Sequence, residues 1–144
     1  MYLLVDTNVF LDLFLDRDSD EIAKFFRNCV LRSNKTFVTS LTLRDVEYTV
    51  HNHFHDSKVS RQIQSQVYSM SSKVIGISAD SAINSLFSDV KDYEDSLQIE
   101  AAKEAMLDCI ITNNKKDFKN GGIPVYTPKE INDIWDKSPR IIID

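Results

Sequence analysis

Short apolar runs alternate along this chain with longer stretches in which apolar and polar residues mix. The runs "YLLV" (2–5), "TFVTS" (36–40), "KVIGI" (73–77), "CIIT" (109–112) and "PVYT" (124–127) are rich in β-branched residues and predict five strands. Between them apolar residues recur at three- and four-residue steps, which predicts helices near 9–15, 20–33, 41–55, 58–72, 80–90, 93–107 and 128–137. Strands alternating with helices build a parallel sheet covered on both faces. The predicted fold class is therefore α/β, a three-layer α/β/α sandwich with a central parallel sheet.

Local chemistry marks several helix starts. Thr127 precedes Pro128 and is followed three residues on by Glu130, the signature of an N-cap, a first-turn proline and a capping box together. Ser40 and Ser78 follow predicted strands and are candidate caps, and Asp92 and Asp95 bracket another start. Phe10, Phe14, Phe25, Phe26 and Phe37 recur at core spacing and are read as core.

Against this frame three acids are anomalous. Asp6 ends the first apolar run, where a parallel sheet presents its carboxyl edge and where ligands bind in such sheets. In "LTLRDVEYTVHNHF", Leu43, Val46, Val50 and Phe54 form one stripe, and Glu47 extends it, while Arg44 and Asp45 are expected to point outward. In "YEDSLQIEAAKEAM" the stripe of Ile99, Ala102 and Met106 reaches back to Asp95. Taken singly, Asp6 could cap a helix, Asp95 could complement a helix dipole and Glu47 could pair with Arg44. Taken together, three inward or strand-end carboxylates need compensation, because an unpaired buried charge costs several kcal/mol. Convergence on one hard divalent cation, Mg²⁺ or Mn²⁺, supplies it.

Composition narrows the picture. With 144 residues, three Gly, three Pro and no repeat or low-complexity stretch, the chain is expected to form one domain over 1–138 with a tail at 139–144. Asp6 and Asp12 interrupt the first apolar run and no segment reaches the roughly 18 apolar residues of a span, so a cytoplasmic protein without membrane contact is expected. Cys29 and Cys109 lie in apolar segments without CxxC spacing, consistent with reduced, buried thiols. A net charge of −5 argues against a protein that coats nucleic acid. It leaves open an enzyme that meets nucleic acid through metal ions.

The segments "LLVDTNVFLDLF", "SLTLRDVEYTV", "DYEDSLQIEAA" and "CIITNNKKDF" together resemble the PIN-domain family, in its order and spacing over nearly the whole chain. The resemblance implies a metal-dependent ribonuclease, in many members a VapC-like toxin of a toxin–antitoxin pair, with homodimers common. Carried over by position, it implies that Asp6, Glu47 and Asp95 are the three core acids. The fourth motif departs from the family pattern: Thr112 is followed by Asn113 and Asn114, so either Asn114 acts as a neutral ligand or water-orienting group, or Asp117 supplies the charge.

On this reading Asp6, Glu47 and Asp95 hold the metal, Asp117 joins them in catalysis, and Thr7, Asn8, Thr112 and Asn114 orient carboxylates or water. Lys115, Lys116 and Lys119 are candidates for phosphate contact, each equally readable as part of a solvated turn. The expected partners are RNA, a small antitoxin whose segment blocks the acidic cleft, and a second copy of the chain. Two other classes compete: an inactive PIN-fold binding or assembly module, and an aspartate-phosphotransfer domain, which would want an acid where Asn8 stands. His51 and His55 in "HNHFH" have the spacing of some zinc ligands but no third ligand at suitable spacing. The closing "RIIID" has β-forming character suited to a sheet edge or a dimer contact.

Overall fold

The computed structural model describes residues 1–138. The predicted role of the tail 139–144 lies outside those residues. Five parallel strands form one sheet: β1 (Tyr2–Val5), β2 (Lys35–Thr39), β3 (Lys73–Ile75), β4 (Cys109–Ile111) and β5 (Val125–Tyr126), in the order β3-β2-β1-β4-β5. β1 takes the centre, pairing Leu3 with Thr36 on one side and with Cys109 on the other. Among the described residues seven helices connect and cover the strands: α1 (Thr7–Phe14), α2 (Ser19–Leu31), α3 (Ser40–Phe54), α4 (Ser57–Met70), α5 (Ala79–Leu86), α6 (Tyr93–Glu104) and α7 (Pro128–Asp136). A 3₁₀ turn spans Lys115–Phe118 between β4 and β5.

Strand alternation divides the core in two. Leu3, Val5, Val38, Cys109 and Ile111 face a layer that buries Val9, Phe10, Ile22, Phe25, Val46, Val50, Val67, Ile131 and Trp135 from α1, α2, α3, α4 and α7. Leu4 and Ile110 face the other way, onto Val90, Ile99, Ala102, Leu107 and Phe118. The α/β/α sandwich is thus as expected, with unequal layers. Cys29 and Cys109 are free and buried, and burial pushes each thiol up to about 12.

The predicted caps hold with one shift. Thr127 Oγ1 accepts from Glu130 N at 3.1 Å while Glu130 Oε1 accepts from Thr127 N at 3.0 Å, completing the capping box. Ser78 caps α5 and Asp92 caps α6, the latter by accepting from Asp95 N at 3.0 Å. On α3 the cap is Thr39, whose Oγ1 accepts from Thr42 N, and Ser40 is the exposed first helical residue. Two residues placed on apolar stripes are outside the core: Phe54 is 46% and Met106 83% exposed, because each stands at or beyond the last turn of its helix.

Two contacts set the position of the 3₁₀ turn. A Cβ on Gly121 would lie 2.7 Å from Ile99 Cδ1 and 3.1 Å from the Phe118 carbonyl oxygen, so a larger residue would have to displace Ile99 of α6. Phe118, 2% exposed, anchors the same turn in the core beneath α6. Asp117, one residue before it, is thereby brought to the start of α6.

Candidate active site

Asp6 is where β1 becomes α1. Its backbone N–H still bonds Ile111 O at 2.9 Å, as a strand residue would, and its carboxylate then caps the helix by accepting from Thr7 N at 2.9 Å. Capping and site formation are therefore one arrangement. The side chain is only 7% exposed and takes two more donors: Gln98 Nε2 to Oδ1 at 3.3 Å and Thr112 Oγ1 to Oδ2 at 2.8 Å. Burial pushes its carboxyl up, the three donors pull it back, and the charge of Asp117 raises it further.

The donors are themselves held. Gln98 Nε2 also reaches Thr42 Oγ1 at 3.0 Å, its Oε1 accepts from Thr39 Oγ1 at 2.6 Å, and Thr42 Oγ1 lies 2.9 Å from Thr7 Oγ1. On the other side Asn8 Nδ2 and Asn114 N both donate to Thr112 Oγ1, at 3.2 and 3.1 Å, and Asn8 Oδ1 accepts from Asn113 N at 3.0 Å. Among the described residues no buried side-chain nitrogen or oxygen lacks a partner. Thr7, Asn8 and Thr112 are thus gathered around Asp6. Gln98, 3% exposed, was not foreseen: its signal is a lone amide between Leu97 and Ile99, three residues after Asp95 and so on the same side of α6.

Asp6 and Asp95 open into a cleft of about 360 Å³ whose walls also carry Asp45 and Glu94. Asp95 lines an adjoining recess with Lys91, Asp92 and Asp117. The Asp95 carboxyl is half-buried and pushed up to about 7, first by desolvation and then by the charges of Asp6, Asp92, Asp117 and Glu94. A larger cavity of about 690 Å³ runs along residues 115–125, but it is lined by Phe118, Ile123, Val125 and the three lysines and contains none of these acids. The candidate site is the smaller cleft, where the carboxylates meet.

One expected member is displaced. Glu47 turns toward α4, where its Oε1 accepts from Ser60 Oγ at 3.1 Å, and it does not line the acidic cleft. Asp45 does. Val46 is the buried centre of α3, and at about 100° per residue Asp45 and Glu47 flank it symmetrically. Which of the two meets Asp6 depends on what packs on each flank: the Asp45 side adjoins α1, the Glu47 side α4. Arg44 pairs with Asp45 at 2.9 Å, not with Glu47.

At the fourth position Asp117, not Asn114, joins the acids; the exposed Asn114 contributes its backbone N–H to Thr112 and starts the 3₁₀ turn. Lys115 is engaged by Glu130 at 2.9 Å, and Lys115, Lys116 and Lys119 line the larger cavity. His51 and His55 are both exposed. Among the described residues no three His, Cys, Asp or Glu side chains form a ready-made metal cage. The donor set is all oxygen and crowded with like charge, which fits a hydrated divalent ion held through one or two carboxylates at a time.

Comparison with known proteins agrees with this fold. The family model for the PIN domain matches residues 2–116. No curated protein matches at a significant level. Among solved structures, VapBC2 from Rickettsia felis bound to a promoter DNA fragment superposes with a TM-score of 0.72 at 16% identity, covering 88% of this chain and 98% of that one. VapBC from Salmonella typhimurium, bound to DNA, gives 0.69 at 18% identity, covering 89% and 98%. A toxin–antitoxin complex from Klebsiella pneumoniae gives 0.62 at 26% identity, covering 88% and 97%.

Proposed function

Because this chain belongs to the PIN-domain family, we propose that it is a metal-dependent endoribonuclease that hydrolyses RNA phosphodiester bonds, and that it is the toxin of a toxin–antitoxin pair. The observation that carries the reading is the gathering of Asp6, Asp45, Asp95 and Asp117, from four separate segments, at one edge of a parallel sheet. Two of these carboxyls are held above their usual range, a cost that a bound cation would remove.

Mg²⁺ or Mn²⁺ suits the donor set, with Asp6, Asp45 and Asp95 as its holders and Asp117 beside them, directly or through water. When bound, the ion supplies a water of lowered pKa and offsets charge developing on the phosphoryl oxygens. The chain's own residues prepare the place. Thr7, Gln98 and Thr112 fix both oxygens of Asp6, and Asn8 ties Thr112 to α1, so the carboxylate needs little reorganisation to meet its ligand. Asp95, its carboxyl pushed up to about 7, would give up its proton in the neutral range to hold a cation.

The toxin assignment draws on the structural neighbours, which are toxin–antitoxin complexes. By the same analogy the partner of this chain is a small antitoxin that covers the acidic cleft. The test is RNA cleavage with Mg²⁺, Mn²⁺ or EDTA by the wild type and by Asp6→Asn/Asp95→Asn. Metal-dependent cleavage lost in the double variant is expected; undiminished cleavage would overturn the assignment.

A further inference from the structure

The acidic cleft has one cationic and aromatic wall that the four carboxylates do not explain. On α3, Leu41, Arg44, Asp45 and Tyr48 follow one another at three-, one- and three-residue steps and all border the cleft. Tyr48 is 58% exposed, so its ring contributes little to the core. The Arg44 guanidinium carbon stands 5.6 Å from the centroid of that ring, and Arg44 Nη1 is 2.9 Å from Asp45 Oδ1, with two-thirds of the arginine side chain exposed. Arg44 is therefore steered from two sides, by the ring and by a carboxylate of the site itself. An exposed ion pair of this kind adds little stability. What the pair offers instead is a flat π surface and an oriented planar cation directly beside the acids.

A ligand complementary to this wall carries both a flat ring for Tyr48 and an anion for Arg44, as one nucleotide does. Aromatic rings stack bases of single strands whatever the sequence, and guanidinium groups both stack and bind phosphate oxygens. We propose that Arg44 and Tyr48 form a one-nucleotide clamp beside the scissile phosphate, Tyr48 stacking an unpaired base and Arg44 holding its phosphate. The clamp rests on the nuclease reading.

The test uses the full chain and a short single-stranded oligoribonucleotide carrying 2-aminopurine at successive positions, in EDTA so that no cleavage occurs. Stacking quenches the fluorophore, so quenching at one position is expected for the wild type and for Tyr48→Phe, and its loss for Tyr48→Leu. Tyr48→Leu should weaken binding by about tenfold or more. Arg44→Gln should keep the quenching and lower the salt dependence of binding by about one phosphate contact. In Mn²⁺, Tyr48→Leu should raise KM more than it lowers kcat. Cleavage that vanishes in Asp6→Asn but is indifferent to Tyr48→Leu overturns the clamp and leaves the nuclease reading standing. Absence of RNA cleavage by the wild type overturns both. A Tyr48→Leu variant that loses a protein partner while its quenching profile matches the wild type assigns this wall to that partner and overturns the clamp.

Discussion

Replacing Asp95 with Asn should stabilise the metal-free protein above neutral pH and change little near pH 4. In the fold its carboxyl is raised from 3.8 to about 7, by desolvation first and then by the surrounding acids. An acid raised on folding keeps its proton in the native state over a range where the unfolded chain has lost it. Stability therefore falls as pH rises from about 4 to about 7, and the whole loss is present above that range. A difference of about 3 pH units at about 1.4 kcal/mol each sets a ceiling of about 4 kcal/mol. Solvent around the half-buried carboxyl screens much of it, leaving about 1–2 kcal/mol. For a domain of this size that is a rise in Tm of about 3–6 °C. The assay is thermal unfolding of wild type and Asp95→Asn in EDTA, near pH 4 and near pH 8. Added Mn²⁺ should then raise the Tm of the wild type more than that of the variant, reversing the order of stability at high metal. Equal Tm differences at both pH values, or none near pH 8, would refute the electrostatic reasoning.

Three further substitutions test the geometry. Asp45→Asn should lower RNA cleavage by about 100-fold or more, whereas Glu47→Gln, which lies on the α4 side beside Ser60, should stay within about threefold of wild type; the opposite ranking in a cleavage assay would return Glu47 to the site. Gln98→Leu leaves Asp6 Oδ1, Thr39 Oγ1 and Thr42 Oγ1 each short of a partner, so urea unfolding should report a loss of about 1–3 kcal/mol, and an unchanged midpoint would contradict the buried network.

The site brings together stability and its opposite. Three donors around Asp6 satisfy its carboxylate, yet burial and neighbouring charge still hold its pKa up, as they do for Asp95. A domain whose total stability is about 5–15 kcal/mol tolerates such a cluster because the sheet beneath it is apolar and saturated with partners. Asp6 is thus held by three donors and Asp45 by Arg44, while Asp95 and Asp117 meet in the adjoining recess.

What the sequence by itself determined was local or periodic. Five β-branched runs, the capping box at Thr127, Pro128 and Glu130, and the acid that ends β1 all follow from neighbours within a few residues, and each stands where the pattern put it. Asp95 was legible for the same reason, as the first-turn continuation of an apolar face. Tertiary structure alone decided which flank of α3 faces Asp6. The buried stripe centred on Val46 leaves Asp45 and Glu47 at equal angles on either side, and only the packing of α1 against one flank and α4 against the other breaks that symmetry. It also chose Asp117 over Asn114, through the close passage of Gly121 against α6, and recruited Gln98 across the core to Asp6. Periodicity says how far a side chain is turned from the core; which neighbour it then meets is set by chain segments far away in sequence.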